Sequence, residues 1–194
     1  MCRVHNLFIL LISAFMLLSQ TALGQKPSAG SAEERSFNRQ QFSGWGGIVF
    51  RCLPNNLSDS LEKRICKSAS SDARLLAESA KIPFQDTGSE DYSAVLIASN
   101  ALNHALVLET SVLSTKLYPK GVHVAVRAGS FYSGAIELGA LPGTPESTGR
   151  DGDLILWERS AIGTGDENGL AQSMPGYVST VLKEFFALFL KSRS

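Results

Sequence analysis

Leu57, Leu61, Ile65, Ala69, Ala73, Leu76 and Ala80 recur at steps of three and four, a continuous apolar stripe that only an α-helix presents on one side. Both ends of that helix are marked. Asp59, followed three residues later by Glu62, resembles a capping pair in which a carboxylate accepts the free N–H groups of the first turn. Pro83 disfavours helical geometry in the residue before it, so the helix stops near Lys81. Lys63, Arg64, Lys67 and Arg74 fall off the stripe, and its small alanines imply close packing against a sheet.

The first strand candidate stands directly upstream. Gly44–Leu53 (GWGGIVFRCL) carries Ile48, Val49 and Phe50 and is closed by Pro54 and the turn-forming Asn55-Asn56. Cys52 ends this run and Cys66 lies on the inward side of the helix. A bond between them pins the helix to the strand it came from. Closing that loop constrains the unfolded chain by roughly 3 kcal/mol on the chain-entropy account. The spacing matches neither a CxxC redox motif nor a zinc site.

The compartment follows from the first 24 residues. Arg3 supplies a weakly basic start, Leu7–Leu18 is almost wholly apolar, and Ala22-Leu23-Gly24 places small residues where a signal peptidase reads. Twelve apolar residues are too few to span a bilayer, which takes about 20. A secretory signal peptide over 1–24 is therefore expected, with cleavage before Gln25 and export to a periplasm or the exterior. Cleavage also removes Cys2, leaving Cys52 and Cys66 as an even pair in an oxidising compartment.

The full chain has 18 basic and 18 acidic residues, and the leader takes Arg3 and no acid. The remaining net charge of −1 gives no basic surface for nucleic acid or anionic lipid. Residues 25–42 are polar, rich in small residues and without periodicity, which is the pattern of a tether. Residues 43–194 are enough for one domain with its own core.

Within that domain Tyr92–Ser99 (YSAVLIAS) follows a polar loop at Gln85–Asp91 and is a short buried-strand candidate. Ala105–Lys116 and Val122–Tyr132 are two more, joined by turn chemistry at Tyr118-Pro119-Lys120-Gly121 into an antiparallel hairpin. Val122, Val124 and Val126 alternate toward the core and leave His123 and Arg127 on the other face. Gly139–Gly152 is a long Gly/Pro/Thr loop, Asp153–Ile162 the last strand candidate, and Gly163–Ala171 a second loop. A heavily apolar helix from about Met174 to Lys191 closes the chain.

This order predicts an α+β fold. It is a two-layer sandwich in which a mixed, mainly antiparallel sheet of about five strands is covered on one face by two principal helices. If the first two strands are parallel, the long helix is the crossover between them. The element order is similar to that of small periplasmic α/β domains of envelope-assembly proteins, in order alone.

Catalytic chemistry has few starting points. There is no GxSxG elbow, and the exported chain keeps only His104 and His123 as bases. His104 sits among Asn100, Asn103 and Ala105 in a turn. On the hairpin, Glu109, Ser111, His123 and Arg127 share the face opposite the valines, with Glu109 and Arg127 placed diagonally across the strand pair. Such a face takes a small polar ligand or a protein partner, or is simply solvated. Asp166-Glu167-Asn168-Gly169 and Asp151-Gly152-Asp153 lack the ligand spacing of a calcium loop, and Gly163-Thr164-Gly165 lacks the Lys-Ser/Thr of a phosphate loop.

No cofactor or metal is expected, and catalytic residues are assigned to none. The leading expectation is a non-enzymatic exported module that binds another cell-envelope protein or a small polar ligand. The alternative is a small hydrolase using Cys52, or Ser111 with His123 as base.

Overall fold

A computed structural model of the chain describes residues 41–89, 91–134 and 150–193, all within one compact unit, Asn38–Ser194. In chain order the elements are β1 (Ile48–Pro54), α1 (Ser60–Ser79), β2 (Phe84–Asp86), α2 (Tyr92–Ala101), β3 (Leu106–Ser114), β4 (Lys120–Gly134), β5 (Arg150–Gly165) and α3 (Glu167–Lys191). The strands form one sheet in the order β2-β1-β3-β4-β5. β1 is parallel to both its neighbours, while β3–β4 and β4–β5 are antiparallel. The mixed five-stranded sheet of an α+β fold is thus as the sequence predicts.

The parallel half explains where the helices go. The chain moves from β1 to β2 on one side through α1, then back past β1 to β3 through α2. Crossovers of one hand require the two helices to lie on opposite faces of the sheet. The core records this separation. Ile48, Phe50 and Cys52 pack with Leu61, Ile65, Ala69, Ala73 and Ala77 of α1 and with the apolar side of α3. The intervening Val49 packs with Val107 of β3, Ala105, and Val95 and Ala98 of α2.

Three sequence expectations need correction here. Tyr92–Ser99 is the helix α2, not a strand: Asp91 caps it by accepting from the Ala94 N–H at 3.1 Å, and Val95 and Ala98 face the sheet three residues apart. A short apolar run carries no period that separates strand from helix, and here the cap and the alanines decide. The loop expected over Gln85–Asp91 is shorter than the sequence suggests, since Gln85 and Asp86 belong to the edge strand β2, Phe84–Asp86. The second loop, Gly163–Ala171, does not exist as such. β5 continues to Gly165 and α3 starts at Glu167, capped by Asp166, which accepts the Gly169 N–H at 2.9 Å. The loop read over Gly139–Gly152 lies outside the described residues up to 149, and its last three residues open β5.

α1 begins three residues later than the stripe suggests. Leu57 is exposed outside it, and Asp59 caps it by accepting the Leu61 and Glu62 N–H groups. The core beneath α1 and α3 is aromatic at its centre. Phe185 meets Phe42 edge-on at 5.8 Å, and Trp157 and Phe189 lie within 5.9 Å of the same ring. Phe42, the last residue of the segment assigned to the tether, is fully buried there.

Candidate functional site

α2 covers only the β1–β3 end of its face, so most of the second sheet face is left to the side chains that the alternation of β3, β4 and β5 puts there. Cross-strand register arranges them in rows. Arg51 stands opposite Glu109, Glu109 opposite Arg127, and Arg127 opposite Glu158. Four strands therefore carry one row of alternating charge, +−+−. The next row along the strands is Leu53, Ser111, Ala125 and Ser160, and the row beyond it Leu113, His123 and Ile162.

The charged row is partly closed on itself. Arg51 donates from Nε to Glu109 Oε2 at 2.7 Å, with Nη2 on the same oxygen, and the pair is mostly buried. Arg127 Nε lies 3.2 Å from Glu158 Oε2 in a half-exposed ion pair without hydrogen-bond alignment. Sequence reasoning placed Glu109 diagonally from Arg127. In the structure they are directly opposite, and the partner that holds Glu109 is Arg51, a residue the sequence argument passed over. Only the register of a third strand reveals it, and nothing local in β1 announces parallel pairing to β3.

Around this row the face is apolar and open. Ile155 is 50% exposed, Leu113 49% and Ile162 75%. The cleft over Val107, Glu109, Arg127, Ser130 and Ile155 holds about 50 Å³, room for a water or two but far below a metabolite site of roughly 300 Å³ or more. Ser111 and His123 lie on this face on adjacent strands, and among the described residues no hydrogen bond joins them. His104 is exposed in the turn after α2, where it and Asn103 both take positive φ.

At the far end of the domain the polar groups serve the scaffold. Lys120 Nζ donates to Asp59 Oδ2 at 2.9 Å and reaches Glu167 Oε2 at 3.4 Å, tying together the starts of α1 and α3. Burial pushes the Asp59 carboxyl up, but the bonds from Lys120, the Glu62 N–H, Ser114 and the Leu61 N–H outweigh it and hold the group below its ordinary 3.8. The same bond to Asp59 raises Lys120 above 10.5. Glu62 is wholly buried and accepts from the Asn56 N–H, the Ser114 N–H and the Ser114 hydroxyl.

Cys52 and Cys66 form the disulfide the spacing predicts, with Cα atoms 5.4 Å apart. With that bond made, Cys52 offers no thiolate, and the thiol version of the hydrolase has no nucleophile. Among the described residues no group of three or more His, Cys, Asp and Glu side chains is placed to hold a metal ion. No described helix is long and apolar enough to cross a membrane.

Fold and disulfide together define a small α+β domain with a mixed sheet, two helices on one face and a short third on the other. No protein-family profile matches the chain, and no curated protein does. Among solved structures it is similar to the PelC dodecamer from Paraburkholderia phytofirmans, at 13% identity and a TM-score of 0.42, over 71% of this chain and 84% of that one. It is also similar to the hypothetical protein CT253 from Chlamydia trachomatis, at 10% identity and a TM-score of 0.31, over 70% of this chain and 97% of that one. Likenesses at these TM-scores carry no argument about what this chain does.

Proposed function

We propose that this chain is an exported, non-enzymatic interaction module whose open sheet face over β3–β5 receives another protein of the same compartment. The leader at 1–24, followed by a domain stapled by one disulfide, supports export. The observation that carries the interaction reading is the composition of the open face. Exposed Leu113 and Ile162 lie on one side of a half-exposed Arg127–Glu158 pair, beyond the Ser111–Ala125–Ser160 row, and exposed Ile155 lies on the other, with no cavity of metabolite size over the pair. Exposed apolar side chains gathered on one sheet face among polar groups are what a protein contact would cover.

The test is site-specific photocrosslinking in the native cell, with the probe at Leu113 or His123 on the face and at Leu75, exposed on α1, as control. The expected result is one recurrent partner captured from both face positions and not from Leu75. Its binding to the purified protein is lost on Leu113→Asp. Equal capture from all three positions, or none from the face, overturns the reading. The mass of the purified protein checks export separately: the chain should begin at Gln25.

A further inference from the structure

The two edges of the sheet are built differently. β2 has three residues and offers little to pair with. β5 has 16, bonds to β4 along one side, and among the described residues has no strand on the other. A long free edge is a template for another strand, and proteins commonly blunt it with bulges, prolines or outward charges. On β5 the blunting stops early. The bulge falls at Leu156, and from Trp157 to Gly165 the ladder with β4 is regular and free of proline.

Glu158 and Arg159 are the charges in that segment, and both are turned back onto their own domain. Glu158 pairs with Arg127, while Arg159 reaches Glu184 of α3 at 3.0 Å and stacks over the Trp157 ring at 5.4 Å. Arg159 also donates from Nη1 to the Glu158 carbonyl at 3.2 Å, so the edge is left with its backbone groups from Ser160 to Gly165 and an exposed Ile162.

We propose that β5 pairs antiparallel with β5 of a second copy of this chain, about a twofold axis through Ala161, joining two five-stranded sheets into one. Residues opposite each other in such a pair share a face, so the axis has to pass through a residue position rather than between two. An axis through Glu158 or Arg159 sets like charges directly against each other, which is unfavourable. An axis through Ala161 uses the whole regular segment. It sets Trp157 against Gly165, Glu158 against Thr164, Arg159 against Gly163 and Ser160 against Ile162 of the second copy, so that no like charges meet and each of the longest side chains faces a small one.

Gly163 is held small for a reason internal to the domain: a Cβ there would come within 2.7 Å of Met174 Sδ in α3. Among the described residues β2 is the other edge, so pairing stops at two copies and leaves no long described edge exposed.

Sedimentation equilibrium on the purified, disulfide-bonded protein tests this. The wild type should be a dimer at micromolar concentration. Ser160→Lys with Ile162→Lys, both at exposed positions, sets lysine against lysine twice across the axis and should weaken the dimer by roughly twofold to thirtyfold, on like-charge costs across strands. Its circular dichroism should stay that of the wild type. Ser160→Glu with Ile162→Lys puts opposite charges at the same pairs and should restore association, and Ala161→Cys should oxidise to a self-linked dimer. A wild type that stays monomeric, or a dimer indifferent to the lysine pair, overturns the proposal. Both outcomes are read without any partner on the open face, so failure here is separable from failure of the interaction reading.

Discussion

Glu62→Gln is the substitution that most sharply tests how this domain is held together. The Glu62 carboxylate accepts the Asn56 N–H at 2.7 Å on one oxygen, and the Ser114 N–H at 2.7 Å and hydroxyl at 2.6 Å on the other. It thereby joins the loop after β1, the first turn of α1 and the last residue of β3. Glutamine has nearly the same shape but a single acceptor oxygen. If that oxygen keeps the two Ser114 bonds, the Asn56 N–H is left facing an NH₂ group, and a buried unsatisfied donor costs about 1–3 kcal/mol.

The two surviving bonds also lose their charge assistance, about 1 kcal/mol each. Glutamine is easier than a carboxylate to take out of water, which offsets part of this. The net expectation is a loss of about 2–4 kcal/mol, or a melting temperature lower by roughly 5–15 °C for a domain of this size. Equilibrium urea unfolding with the disulfide intact measures it. Ser114→Ala is the internal control. It removes only the hydroxyl, which lies on the Glu62 and Asp59 carboxylates, and keeps the N–H bonded, so it should cost about 1.5–3 kcal/mol. A Glu62→Gln loss within about 0.5 kcal/mol of zero refutes the reasoning.

Replacing Cys52 and Cys66 together by alanine should destabilise the domain by about 3 kcal/mol, from the loop of sequence separation 14 that the bond closes, measured by the same unfolding titration. Thr110 is fully buried with an unpartnered hydroxyl, so Thr110→Val should leave stability unchanged or raise it by up to about 1 kcal/mol; a clear loss would reveal a partner for that oxygen. The Asp59–Lys120 pair should leave a mark on the pH dependence of stability. Asp59 is depressed, so its contribution is fully present above the ordinary 3.8 and is lost as pH falls through its lower folded value. Lys120 is raised, so its contribution is fully present below 10.5 and is lost as pH rises through its higher folded value. The stability difference between wild type and Lys120→Met should accordingly be flat through neutral pH and shrink at both extremes, and a difference that varies between about pH 5 and 9 would contradict this assignment.

The open face was legible in part. Alternation along Val122–Arg127 places His123 and Arg127 opposite the valines, and the structure has them there with Glu109 and Ser111. What the hairpin alone does not contain is the rest of the row. Arg51 joins it because β1 lies parallel to β3, and Glu158 because β5 lies beyond β4, and both are matters of strand neighbours distant in the chain.

Sequence by itself determined what depends on local order: the one-sided helix of Ser60–Ser79 and its Asp59 cap, the β3–β4 hairpin, the apolar C-terminal helix and the Cys52–Cys66 pair. Each of these rests on a period, a cap, a turn or a short loop, and those forces act over a few residues. Tertiary structure completed the choice at Tyr92–Ala101: Asp91 caps it locally, but its apolar run suits strand or helix alike until Val95 and Ala98 have a sheet face to pack on. It decided also that Phe84–Asp86 becomes a strand, since three residues have no β-structure of their own and take it from the edge of β1. The burial of Glu62 belongs with these, because its acceptors are satisfied by Ser114, 52 residues away, which comes within reach only when β3 has found its place in the sheet.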